Sequence, residues 1–248
     1  MGKVSINGLV KALVIVSIGA GTGLLMPELH VRWLQRRANE ATRRLEASTG
    51  SSGTGFFART PEGREVLVTA AHVCDDASIA VVTGEPVRFQ KIVRVTADDV
   101  CIAEVFGDRS PGHVFTLAGG EAAWGEKIYT FGFPYAEGPY LSDGRVGFNS
   151  YVMVPVRRAM DAGECHARGE EFVVSHPFGG LCIRKMNATF TSIGGFPGNS
   201  GGPVFDMYGR IVGLISLGDP RMNTVAYVPL AKILRALEKA DAVLGSSK

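Results

Sequence analysis

Three short stretches of this sequence carry residue types that do chemistry together. His72 stands in LVTAAHV, just after an apolar run that ends at Thr69. Asp98 and Asp99 stand in ADDVCIAEV, before an alternating run, and Ser200 stands in GFPGNSGGPVFD. An imidazole can trade a proton near neutral pH, a carboxylate at a strand's mouth can orient it, and a hydroxyl beside a base can act as a nucleophile. Gly198, Gly201 and Gly202 around Ser200 allow a backbone that side-chain-bearing residues resist. Such a turn aims the N–H groups of Gly198 and Ser200 at one point, where they form an oxyanion hole.

Each stretch also has an ordinary reading. A lone histidine is more often structural, and His30, His113, His166 and His176 are read so. Either aspartate could be a turn residue, although Asp99-Val100-Cys101-Ile102 sets the acid directly before the apolar run. The serine stretch could be a glycine-rich hairpin, but GNSGGPV is a far more specific string than a bare G-x-S-G. Cys101 reads as a buried small hydrophobe, and Cys165 and Cys182 could pair across the segment between them. With Cys74, the four cysteines permit three full connectivities. None has metal-ligand spacing, so no zinc is expected.

These residues need strands to hold them. Candidate strands are Gly55–Arg59, Val66–Thr69, Ser78–Val82, Val87–Val95, Val100–Val105, Lys127–Gly132, Gly144–Pro155, Glu171–Ser175, Pro203–Phe205, Ile211–Leu217 and Thr224–Val228. Such a series predicts an all-β sandwich or barrel. Leu230, Ile233, Leu234 and Leu237 recur at helical spacing and predict a C-terminal helix on its outside. The 32 glycines against 12 prolines suit many turns and bulges. With 248 residues, 46% hydrophobic and 20% charged, the chain is neither a disordered tail nor a collagen. A net charge of +2 demands no nucleic acid.

The mean hydropathy of +0.14 owes much to the N-terminus. Residues 6–26 form an apolar run of 21 residues, broken among strongly polar residues only by Asn7 and Lys11, and predict an uncleaved membrane anchor. A signal peptide is the rival reading, and a buried helix the third. The stretch 28–50 reads as a charged helical stalk and linker ending in STGSSGTG, with a domain boundary near Gly50. Arg32, Arg36, Arg37, Arg43 and Arg44 would keep the C-terminal part in the cytoplasm by the positive-inside rule.

In the order His72, Asp99, Ser200, the three motifs resemble the trypsin-like (chymotrypsin-fold) serine peptidases. GSSGTGFF, LVTAAHV, DVCIAEV, YLSDGRVGF and PGNSGGPVFDMYGRIVGLIS are most similar to the HtrA/Deg-like branch, and the likeness runs from Ser51 to Leu237. It implies two six-stranded antiparallel β-barrels, residues 51–118 with His72 and Asp99 and residues 119–248 with Ser200 and the terminal helix. It implies peptide-bond hydrolysis with Ser200 as nucleophile, His72 as general base and acid, Asp99 orienting the imidazole, and no cofactor. Polypeptide is the implied substrate. Gly194, where trypsins carry a specificity aspartate, would line an S1 pocket with Ser216, Leu217 and Gly218, suiting a small or medium apolar P1 residue. By analogy with the branch, the catalytic domain is expected on the exported side.

The sequence also departs from that pattern. It has no I-V-G-G start, leaves no room for a PDZ domain after its last helix, and carries a long segment, Val156–Lys185, expected as a loop or hairpin beside the cleft. Two other functions fit the same residues: a catalytically silent trypsin-fold scaffold, and a viral or phage polyprotein-processing protease.

Overall fold

The computed structural model describes residues 27–46, 52–75, 80–81, 88–106, 112–159, 162–166, 170–176, 179–219 and 224–245. The first barrel consists of β1 (Thr42–Glu46), β2 (Ser52–Arg59), β3 (Glu65–Ala70), β4 (Ala80–Val81), β5 (Arg88–Val95) and β6 (Val100–Phe106), closed in the order β1-β2-β3-β6-β5-β4. Alternation drives closure, because successive side chains of a strand face opposite sides of the sheet. Phe56, Val66, Val68, Val100 and Ile102 enter the main core, while Leu45, Phe57 and Leu67 form a smaller cluster of their own.

The second sheet holds β7 (Thr116–Leu117), β8 (Lys127–Gly132), β9 (Tyr140–Ala159), β10 (Glu171–His176), β11 (Gly179–Thr191), β12 (Pro203–Phe205), β13 (Arg210–Asp219) and β14 (Thr224–Pro229). Pairing of β9 with β11 closes β11-β14-β13-β12-β8-β9 into the second barrel, with β10 added outside β11 and β7 parallel to β13. The architecture is the chymotrypsin fold that the motifs imply. Two disulfides, Cys74–Cys101 and Cys165–Cys182, cross-link it.

Among the described residues, three α-helices accompany the barrels. Residues 27–41 form α1, Ala162–His166 a short α2, and Leu230–Gly245 α3. α3 buries Leu230, Ile233, Ala236, Leu237, Ala240 and Leu244 and packs on β5 and β6 of the first barrel as well as β13 and β14 of the second.

The structure corrects the reading in four places. Residues 28–46 are no solvated stalk: Leu34, Ala38 and Ala41 of α1 lie in the main core, and β1 pairs with both β2 and β4, so the barrel starts at Thr42 and not beyond Gly50. The arginines misled because they pack as well as carry charge; Arg43 lies over the Phe57 ring and Arg44 donates to the Ala136 carbonyl. Second, Cys101 is disulfide-bonded and not a free hydrophobe. Third, β11 was not among the expected strands; its inward residues include Gly180, Cys182, Met186 and Ala188, none a marked strand former. Fourth, Thr116 and Leu117 already pair with β13, ahead of the expected barrel boundary. The predicted anchor, residues 6–26, lies outside the described residues, and no helix among those described is long and apolar enough to cross a membrane.

Candidate active site

His72 follows β3, where Ala70 and Ala71 leave the backbone room to turn into the 3-10 turn Val73–Asp75. Asp99 stands at the head of β6, which pairs directly with β3 through Ala70↔Val100. Register therefore brings the two residues together. The Ala71 N–H donates to the Asp99 carbonyl at 3.1 Å, and the His72 N–H donates to Asp99 Oδ1 at 3.1 Å. His72 Nδ1 lies 3.0 Å from each carboxylate oxygen. An ionised carboxylate only accepts, so this contact calls for a proton on Nδ1 and, in a neutral imidazole, assigns the lone pair to Nε2.

Asp99 has a φ of +52°, a left-handed conformation that a short polar side chain tolerates better than most. Strain of this kind persists where the surroundings over-determine it. The Asp99 side chain is 4% exposed, and it accepts a further 2.5 Å hydrogen bond from Ser216 Oγ on β13. The neighbouring Asp98 points elsewhere and pairs with Lys232 and Arg235 of α3.

Ser200 lies in the loop before β12. Its Oγ donates to the Ser216 carbonyl at 3.3 Å, so Ser216 touches both Asp99 and Ser200. The loop is gripped from both barrels: the Thr54 N–H of β2 donates to the Ser200 carbonyl, and the Gly201 N–H donates to the Ile215 carbonyl of β13. Gly198 has a φ of +96°, and a Cβ there would collide with the Phe133 carbonyl. Among the described residues, the Gly198 and Ser200 N–H groups have no hydrogen-bond acceptor. Two unpartnered donors two residues apart are what an oxyanion needs.

The residues expected to line S1 divide. Gly195 and Gly218 bring two backbones into contact, since a Cβ on Gly195 would stand 2.5 Å from the Gly218 Cα, and Gly194 adjoins this seam. Leu217 is partly buried against the core. Ser216 is fully buried with its hydroxyl on Asp99, so its backbone alone can face a substrate. Sequence reasoning missed that contact and those of Thr54; a serine within an apolar strand and a threonine between glycines carry no signal of their own. The one metal-type cluster among the described residues, Cys165, Glu170 and Cys182, has its sulfurs in a disulfide and its carboxylate on Arg184.

Two six-stranded barrels that each contribute to one candidate site define a two-barrel peptidase of the chymotrypsin fold. The chain belongs to the trypsin-like peptidases: the family model described as a trypsin-like peptidase domain matches residues 53–214, which include His72, Asp99 and Ser200. By that membership it is a serine endopeptidase. Among solved structures, the active form of the Rv3671c protease from M. tuberculosis is similar at a TM-score of 0.63 and 18% identity, covering 86% of each chain. Its inactive Ser-to-Ala form gives 0.62 and 17% identity, covering 84% of this chain and 90% of that one. The serine endoprotease of Yersinia pestis gives 0.59 and 18%, covering 83% of this chain and 64% of the other. A search of curated protein sequences finds no match.

Proposed function

We propose that the chain hydrolyses peptide bonds through His72, Asp99 and Ser200 by way of an acyl-enzyme. The observation that carries this reading is the buried Asp99 carboxylate, which takes His72 Nδ1 and leaves Nε2 to accept a proton. Ser200 Oγ leaves the Ser216 carbonyl, gives its proton to His72 Nε2 and attacks the scissile carbonyl. The carbonyl oxygen becomes an oxyanion held by the Gly198 and Ser200 N–H groups. The imidazolium, steadied by Asp99, then protonates the leaving amine, and water repeats the sequence to free the acid. Labelling with a fluorophosphonate tests this: wild type is expected to take up the probe and Ser200→Ala to take up none. A folded wild-type protein without a Ser200-dependent adduct overturns the reading and leaves a binding scaffold.

If Gly194, Leu217 and Gly218 line the specificity pocket, they bring no charge to it, which supports a small or medium apolar P1 residue. Cleavage-site profiling of a peptide library checks it, and a preference for Arg or Lys at P1 refutes it.

The same reading tethers the chain to a bilayer through residues 6–26, with the catalytic domain on the exported side. Two disulfides support an oxidising compartment. The arginine count that argued otherwise loses force, because Arg37 is engaged with His113, Arg43 with Phe57 and Arg44 with Ala136 and Glu46. Full-length protein should need detergent for extraction, while a chain starting at residue 27 should not. If both stay in the soluble fraction, the tether is wrong.

A further inference from the structure

We propose that Thr54 is the positioning residue that holds the oxyanion loop in its working shape, an inference that rests on the serine-peptidase reading above. Thr54 belongs to β2 of the first barrel and has no exposed surface. Its contacts nevertheless converge on the second barrel's nucleophile loop. Its N–H donates to the Ser200 carbonyl at 2.8 Å, and its Oγ1 donates to the Gly198 carbonyl at 2.7 Å. The same Oγ1 accepts the Phe133 N–H at 3.3 Å, and the Thr54 carbonyl accepts Thr69 Oγ1 at 2.7 Å. One residue therefore holds the carbonyls of both residues whose N–H groups form the hole.

The need for such a hold follows from Gly198. A glycine at φ +96° has little steric preference of its own, and either adjoining peptide plane can turn over at small cost. A turned Pro197–Gly198 plane would point a carbonyl at the substrate in place of an N–H. Two hydrogen bonds oppose this, one on each side of the Gly198 Cα. The Tyr135 N–H holds the Pro197 carbonyl at 2.7 Å, and Thr54 Oγ1 holds the Gly198 carbonyl. Together they set both dihedral angles of Gly198 and so the direction of its N–H.

Of these two donors only the threonine hydroxyl can be deleted by exchanging a side chain. Its surroundings are closely packed: a Cβ on Gly132 would lie 3.2 Å from Thr54 Oγ1, and one on Gly201 would overlap the Thr54 carbonyl. Valine has nearly the same shape and suits a strand equally well, but it leaves the buried Gly198 carbonyl without its donor.

The experiment compares Thr54→Val and Thr54→Ser with wild type, using a fluorophosphonate as probe. In that reaction Ser200 Oγ bonds to phosphorus, fluoride leaves, and the hydroxyl proton passes to His72. The phosphoryl oxygen occupies the hole, so the second-order labelling rate reports on it. Thr54→Val is expected to label roughly 10- to 100-fold more slowly, with the His72 imidazole titration by NMR unchanged. Thr54→Ser is expected to stay within about threefold of wild type. Labelling of Thr54→Val at the wild-type rate overturns the proposal, as does a Thr54→Ser rate as low as that of Thr54→Val, which would assign the effect to the lost methyl. Should Thr54→Val not fold, Thr54→Ala against Thr54→Ser decides by the same criterion. A folded wild type that takes up no probe at Ser200 overturns the peptidase reading itself, and this inference with it.

Discussion

Asp99 is held by more contacts than a turn aspartate needs: two backbone hydrogen bonds from residues 71 and 72, the imidazole of His72 and the hydroxyl of Ser216. Asparagine there would keep the shape, lose the charge and favour the wrong imidazole tautomer. Asp99→Asn should fold like wild type by circular dichroism while kcat drops on the order of 10⁴-fold. Gly198→Ala acts through the backbone instead. Its Cβ would meet the Phe133 carbonyl at a φ that L-residues avoid, so peptidase activity should fall by at least roughly 100-fold. An unchanged rate would mean that the Gly198 N–H is not an oxyanion donor. At this scale residue type and strand position together favoured Asp99 over Asp98, and of the two it is Asp99 that lies against His72 while Asp98 pairs with α3. The sequence could not reveal that the Ser216 hydroxyl reaches Asp99, nor that Thr54 reaches Gly198, because these contacts span 117 and 144 residues of chain.

Among the elements, β3 and β6 are coupled twice near the site. Cys74 lies two residues beyond His72 and Cys101 two residues beyond Asp99, so one disulfide ties the two segments just behind the pair. For a separation of 27 residues, loop-closure entropy gives it about 3.5 kcal/mol of stability. Replacing both cysteines by serine should lower Tm by about 10 °C, and an unchanged Tm would show that the cross-link constrains little. Helix α1 adds a pH dependence. Arg37 Nε donates to His113 Nε2 at 3.2 Å, and burial followed by the Arg37 charge holds the His113 pKa below its ordinary value, with Glu40 pulling weakly the other way. The unfolded chain therefore binds a proton at His113 more readily, and stability should decline as pH falls from above the ordinary histidine pKa towards the depressed one. Thermal unfolding between pH 7.5 and 5 should show His113→Gln losing less than wild type. These elements explain what the sequence concealed. Periodicity exposed the strands made of Val, Ile and Phe, whereas α1 and β1 hid their apolar faces behind arginines, and β11 faces the interior with Gly, Cys, Met and Ala.

For the whole molecule, α3 decides how the barrels stay together. It covers β5 and β6, its Lys232 and Arg235 reach Asp98 beside Asp99, and its Asp241 accepts the Glu62 N–H of the β2–β3 turn. Leu237 is fully buried there, so Leu237→Ala should cost about 2–5 kcal/mol in denaturant unfolding. A loss below 0.5 kcal/mol would show that the helix is dispensable to the core. This arrangement also has a consequence in time. The first barrel ends at Phe106, and α3 is complete only at Gly245. At roughly 5–20 residues per second, synthesis leaves about 7–30 s between the two. During that interval His72 and Asp99 are already made, Ser200 joins them late, and the flank beside Asp98 stays bare until the last helix docks. On the proposed triad, a nascent chain that stalls before Ser200 therefore carries the base and its aspartate without a nucleophile, and it can cut nothing.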